Sequence, residues 1–355
     1  MIKRNFQPDY THIVDAAYNR PTTRLPLYEH NISPLVMEQI LGYEFISLLD
    51  GDASDQEEYF SIYAGFCKDH GYDVVPFEGC VTELIQGGKG LCGRCPAIIR
   101  DTKDIERFPW EETVEAYEKR FFPQFGALER AMPIGMKAVG GVGNGVFETI
   151  QDFVPLVDLS YLEQDDPDTF SLLFQKVGDL LVAIWQRFLA RFSDTWCLCR
   201  FGDDLGFKTS TLIHPDTIRS LLLPQYARII HLVHKAGRPF LLHNCGAVFS
   251  VMEDLIQLGI DAKHSNEDNI APFSTWVDRY GDRIGNFGGI DMNILCLSDT
   301  QTVHEYVLRI IRENSEKPGI AIGSGNQIAD YVLPESFLTM VETVETCRAE
   351  SNARN

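Results

Sequence analysis

The chain lacks any apolar run approaching the ~18 residues that a membrane-spanning helix needs. Its start, Met1-Ile2-Lys3-Arg4-Asn5-Phe6, holds no apolar leader segment, so a cytoplasmic protein is expected. Positive charge is scarce: 31 Lys and Arg face 51 Asp and Glu, a formal net charge of −20. Nucleic-acid binding needs clustered basic residues, so that partner class is excluded, and anionic membranes are disfavoured. No G-x-x-x-x-G-K-[ST] occurs, and Gly140-Gly141-Val142-Gly143-Asn144-Gly145 lacks the spacing of a dinucleotide fingerprint. That run reads instead as a loop at a mouth, where backbone passes close to a ligand. Nine cysteines, an odd number, make no secreted disulfide framework. Cys92-Gly93-Arg94-Cys95 has no second C-x-x-C to complete a zinc ribbon. Cys67 and Cys80 are its nearest candidate partners, and free loop thiols are the simpler reading.

What is present is ordinary core in quantity: 45% hydrophobic and 23% charged residues over 355 positions. That length suits one (β/α)₈ barrel with an N-terminal elaboration. Residues 1–70 read as a helical and loop extension packed on the barrel, and residues 71–350 as the barrel itself. The extension holds a short helix at 15–20, an arm broken by Pro21 and Pro26, and a helix opened by Ser33-Pro34. Phe45 to Asp50 reads as a helical end rather than a strand.

From Tyr72 onward, short apolar runs alternate with helical segments. Strands are expected at 72–77, 133–139, 195–201, 239–242, 260–264, 284–288 and 319–322. Helices are expected at 168–191, 215–236, 248–258, 272–280, 302–314 and 334–349, with acidic Glu111 and Glu112 opening an earlier one. Such alternation means βαβ units and a parallel sheet.

The strands end alike. Gly202-Asp203-Asp204, His243-Asn244-Cys245, His264-Ser265-Asn266-Glu267-Asp268, Gly289-Ile290-Asp291 and Ser324-Gly325-Asn326 follow five consecutive apolar runs. In a (β/α)₈ barrel these ends form one rim, which carries the site. A doubly wound sheet would gather only a few of them. Within the rim, His243 and Cys245 stand two apart, so in extended chain they aim at one point. Imidazole and thiolate converging there are ligands of a borderline-soft metal, zinc first. A packed cysteine beside a hydrogen-bonded histidine is the alternative. Singly, Asp203 or Asp204 could cap a turn and Asn326 could hold a loop; together the set points to function.

These motifs, sharpest from about Phe201 to Tyr331, resemble the uroporphyrinogen decarboxylase superfamily. More closely, with the arm Arg20-Pro21-Thr22-Thr23-Arg24-Leu25-Pro26, they resemble its branch of cobalamin-dependent methyltransferases. The resemblance implies the barrel fold, zinc on the H-x-C motif and methyl transfer involving a corrinoid. The arginine-rich R-Q-A-G-R segment of true decarboxylases is absent. Ser324 stands where thiol-activating members place a second cysteine, so an oxygen from Glu267 or Asp204 is the implied third ligand. The resulting expectation is His243, Cys245 and Glu267 on the metal. Asp203, Asp204 and Asn326 position the donor or its leaving oxygen, and Asn144, His264, Asp291 and Ser324 contact substrate. No D-x-H-x-x-G segment is present, so cobalamin is expected on a separate corrinoid protein, with a small methyl donor or acceptor as the other partner. A homodimer is left open. Decarboxylation of a uroporphyrinogen-type substrate, or a barrel that binds a corrinoid protein without chemistry, are the alternatives.

Overall fold

Seven apolar segments become strands in the computed structural model, which describes residues 6–88, 96–314 and 317–354. They are β1 (Val74–Gly79), β2 (Lys137–Val142), β3 (Trp196–Gly202), β4 (Phe240–His243), β5 (Ala262–His264), β6 (Gly285–Ile290) and β7 (Ile320–Ser324). Each pairs in parallel with the next, in chain order from β1 to β7. Parallel neighbours need crossover connections, which helices such as Trp110–Ala131, Pro167–Phe192 and Leu223–Lys235 supply. Every residue of β3 and β4 is buried, which is why their sequences run apolar without alternation.

The sheet curls on itself. Val74, Val139, Leu198, Leu241, Ala262, Phe287 and Ala321, one from each strand, meet in a single buried cluster. Ile13, Ala16 and Ala17 of the helix Thr11–Ala17 join that cluster, and Tyr28 of the arm completes it. The arm also stands beside β7: Leu27 bridges Ile322 in parallel, Ile322 N–H donates to the Pro26 carbonyl, and Tyr28 N–H to the Ile322 carbonyl, both at 2.9 Å. Prolines 21 and 26 have no N–H to offer, so the arm pairs over a few residues only. The approach is close: a Cβ on Gly323 would stand 1.7 Å from the Tyr28 carbonyl oxygen. The expected (β/α)₈ barrel is thus built from seven strands and this arm.

Local departures have local causes. The first helix runs Thr11–Ala17, earlier than 15–20, and Phe45 leads into a 3₁₀ turn, Ile46–Asp50. The helix expected from Val248 starts at Met252, because Ala247 N–H is tied to the Phe207 carbonyl at 2.6 Å. The segment from Pro215 to Lys235 is helical but carries a π-turn, Ile218–Leu222. Gly140 and Gly141 lie inside β2 rather than in a mouth loop, with φ of 113° and 110°. A Cβ on Gly140 would meet the Phe77 carbonyl at 2.5 Å and the Arg200 guanidinium at 3.2 Å, so glycine there makes room for a neighbouring strand and a buried arginine. Cys92 and Cys95 lie outside the described residues; Cys67 and Cys80 carry free thiols.

Candidate functional site

β4 and β5 pair with His243 opposite His264, so both imidazoles leave the sheet on the same side. Their Nδ1 atoms stand 2.7 Å apart, and His264 Nε2–H donates to the Ser324 carbonyl at 3.0 Å. On the other edge of the His243 ring, Nε2 lies 3.5 Å from Cys245 Sγ. Asp204 accepts the Cys245 amide at 2.8 Å, and donor atoms of Asp204, His243 and Cys245 all lie within 4.8 Å of one another. Asn326 Nδ2 stands 3.4 Å from the same sulfur and Ser265 Oγ 3.3 Å. Ser265 Oγ donates to the Gly325 carbonyl at 2.8 Å. Ser265 has φ 85°, a conformation that costs a non-glycine residue energy and clusters at functional sites. The Lys263 ammonium, 4.1 Å over the Trp276 ring, donates to the Ser265 carbonyl and holds that turn.

Burial, then the neighbouring imidazoles, pushes His243 well below the usual histidine range, and burial with His30 does the same to His264. Both are neutral near pH 7 and carry a lone pair. Burial, then the Asp204 carboxylate, pushes the Cys245 thiol up, so it stays protonated unless a cation takes it as thiolate. Burial lowers the Lys263 ammonium to about 8.

The rim brings some expected residues together and turns others away. Asp204, His243, Cys245, His264 and Asn326 share one point. Asp203 does not: its oxygens accept Phe147 N–H at 2.9 Å, Glu148 N–H at 2.7 Å and the Tyr226 hydroxyl, tying β3 to the helix Val146–Phe153. Both of its carboxylate oxygens are thus engaged by that helix and by Tyr226. Asp291 caps the helix Met292–Leu297, accepting Asn293 N–H, and takes Asp268 N–H, both at 2.8 Å. The Ser324 hydroxyl donates to Glu29, away from substrate, while its carbonyl faces His264. Glu267 joins no donor group among the described residues, whereas Asp204, the other third ligand considered, does. Asn144 bridges Thr82 Oγ1–H, at 2.8 Å, and Glu148, at 3.1 Å.

Sequence reasoning missed His30, Glu29, Glu78 and Arg200. His30 stacks on His243 with ring centroids 3.9 Å apart and forms a second donor group with His243 and His264. Arg200 Nε and Nη2 donate to Glu78 Oε2, and Nη1 to Tyr28 Oη at 2.8 Å. Burial alone would raise the Glu78 carboxyl, but Arg200 and His30 outweigh it and hold it down to about 2. A signal for His30 was present: Leu27-Tyr28 followed by Glu29-His30-Asn31 has the same apolar-then-polar form as the other rims, obscured by the prolines before it.

Comparison with known proteins follows this geometry. The fold is similar to a methyltransferase from Methanosarcina mazei, 14% identical, covering 95% of this chain and 98% of that one, with a TM-score of 0.68. It is also similar to a putative vitamin-B12 independent methionine synthase from Listeria monocytogenes, 13% identical, covering 98% and 99%, with a TM-score of 0.50. No curated protein matches the chain. The profile described as Uroporphyrinogen decarboxylase (URO-D) matches residues 151–347, more than half the chain and the stretch that carries β3 to β7. With His243, Cys245, Asp204 and Asn326 all inside it, that match places the chain in the uroporphyrinogen decarboxylase (URO-D) family.

Proposed function

We propose that this protein is a zinc-dependent methyltransferase component, moving a methyl group between a small methylated compound and a corrinoid held by a separate protein. The observation that carries the reading is the convergence of Asp204, His243 and Cys245 at the rim. Their chemistry fits the metal: one imidazole, one thiol and one carboxylate are three protein ligands of a catalytic zinc, with a position left for substrate. Bonds of roughly 2.0–2.1 and 2.3 Å at a tetrahedral angle place nitrogen and sulfur about 3.5 Å apart, and His243 Nε2 and Cys245 Sγ stand 3.5 Å apart. Bound there, zinc would supply a Lewis acid that stabilises negative charge on the heteroatom losing or gaining the methyl group. The chain's own residues do the rest. Asp204 orients the Cys245 amide, and Asn326 and Ser265 fix the sulfur from two sides. Asn326 then also borders the position that the donor takes.

The decarboxylase alternative needs guanidinium groups free to clamp carboxylates. Arg24 is engaged with Asp73 and the Gln7 carbonyl, Arg20 with Asp15, and Arg200 with Glu78 and Tyr28. These pairings favour methyl transfer. Metal content by mass spectrometry, wild type beside His243→Ala, is the first test: near-stoichiometric zinc lost in the variant is expected. A spectrophotometric screen of cob(I)alamin methylation by methyl ethers, methylamines and methyl thiols follows. Zinc-free wild type after incubation with zinc would sink the metal reading. Corrinoid-protein binding without turnover on any donor would favour the non-catalytic barrel, and coproporphyrinogen formed from uroporphyrinogen the decarboxylase.

A further inference from the structure

The two neutral histidines at the ends of β4 and β5 can be assigned proton by proton. A carbonyl oxygen only accepts, so the 3.0 Å contact with Ser324 requires the proton of His264 on Nε2. The Nδ1 of a neutral His264 is then bare and can only accept. Facing it at 2.7 Å is His243 Nδ1, which must therefore carry its own ring proton. The Nε2 of His243 is left with a free lone pair, 3.5 Å from Cys245 Sγ. The opposite assignment would set two bare nitrogens against each other at hydrogen-bond distance, or demand an imidazolium at His264. His264 is 0% exposed, and its two ring contacts are a neutral carbonyl and another imidazole, so no carboxylate hydrogen-bonds to its ring to compensate such a buried cation.

We propose that the Ser324 carbonyl and the His264 ring together fix the tautomer of His243, so that its Nε2 presents a lone pair to the cation site. His264 is a positioning residue here, acting through His243, in place of the substrate contact expected of it. Ser324, which stands where the resemblance places a cysteine, contributes its backbone oxygen to the same end. The Gly325 N–H, in the same peptide unit as that carbonyl, donates to the Ile290 carbonyl at 2.6 Å and fixes its direction, while Glu29 holds the Ser324 hydroxyl and amide. The device is a chain of three hydrogen-bond roles set by one atom that cannot change its role. Metal-binding histidines are commonly oriented by a hydrogen bond to the other ring nitrogen, and loss of such a partner typically lowers metal affinity about 10–100-fold. An imidazole in that role, itself fixed by a strand-end carbonyl, is what this chain shows.

The inference rests on the proposed metal site for its purpose, but its geometry can be tested without metal. Nitrogen-15 NMR of histidine-labelled, metal-free protein, with His243→Gln to assign the resonances, should show His243 with a pyrrole-type Nδ1 and a pyridine-type Nε2. His264 should show the reverse. Finding the proton of His243 on Nε2 in the wild type would overturn the proposal, whatever the metal data say. Two variants then separate positioning from packing. His264→Gln can donate to the Ser324 carbonyl and accept from His243, whereas His264→Leu can do neither. Zinc affinity, read by competition with a chromogenic chelator, should stay within a few-fold of wild type for His264→Gln. For His264→Leu it should fall about 10–100-fold. Equal losses in both variants, or none in His264→Leu, would also overturn it. If the wild type takes up no zinc, the metal reading fails while the NMR spectrum still decides the tautomer.

Discussion

Two polar clusters share the upper barrel, and they differ in how completely each is satisfied. On the β1 and β3 side, Arg200 is fully enclosed and places its donors on Glu78 and Tyr28, so opposite charges meet over short contacts. On the β4 and β5 side, Asp204, His243, Cys245 and Asn326 converge through long contacts to sulfur, 3.4 and 3.5 Å, that leave donor capacity over. Buried polar groups are normally paired, and a half-satisfied cluster weakens a fold unless something else completes it. A closed cluster serves the scaffold; an open one has room for the proposed cation and substrate.

Substitutions should separate the two clusters. Cys245→Ala should abolish bound zinc while leaving the unfolding free energy of the metal-free protein within about 1 kcal/mol. Zinc retained at full stoichiometry would make the β4 side merely structural. Arg200→Met should do the converse, destabilising by about 3–5 kcal/mol in denaturant unfolding, because Glu78 loses its guanidinium partner and keeps only His30, 3.5 Å away. Adding Glu78→Gln should restore much of that loss. A cost for Arg200→Met no larger than that of a surface change would show the pair to be well hydrated. Tyr226→Phe removes one of three donors to Asp203 and should cost about 1–3 kcal/mol without altering zinc content. If zinc is lost as well, Asp203 belongs with the open cluster.

Acid–base behaviour offers a subtler contrast. Burial pushes the Glu29 carboxyl from its ordinary 4.5 up to about 8, and burial pushes Asp203 up to about 7. The native state then keeps protons that the unfolded chain releases. Their contribution is full below the ordinary carboxyl range, drains as pH climbs above it, and is gone once pH has passed through 7 to 8. Glu29→Gln should therefore flatten the decline in stability across that window, measured by unfolding at successive pH values. Parallel curves for variant and wild type would mean that Glu29 is ionised in the fold. The smallest effect belongs to the surface: Arg283→Ala, breaking an exposed pair with Glu253, should leave the denaturant midpoint unchanged within error.

The strands were legible because each is an unbroken apolar run, and the H-x-C pair because alternation along a strand sends residues two apart to one side. The same alternation explains what was confused. Asp203 and Asp204 are adjacent, so one faces the helix Val146–Phe153 and the other the side of His243 and Cys245, but sequence does not say which. Glu267 lies beyond a left-handed Ser265, and a strand count cannot be carried through such a turn. Ser324 has the right register to face inward, yet its hydroxyl is captured by Glu29 from an arm whose prolines concealed its strand-like pairing with β7. Partners so far apart in sequence leave no local pattern to read.

That separation also has a consequence in time. Glu29 meets Ser324 across 295 residues and Ser33 meets Asp330 across 297. At roughly 5–20 residues per second, a nascent arm waits on the order of 15–60 s for its strand to be synthesised. The carbonyl that orients His264 belongs to that strand, so the arrangement at His243 can be completed only once β7 has been synthesised. Until then the chain holds the edge of an open sheet, a state that invites mispairing and slows folding through its long-range contacts. Competence for the proposed chemistry would then arrive in step with closure of the barrel rather than before it.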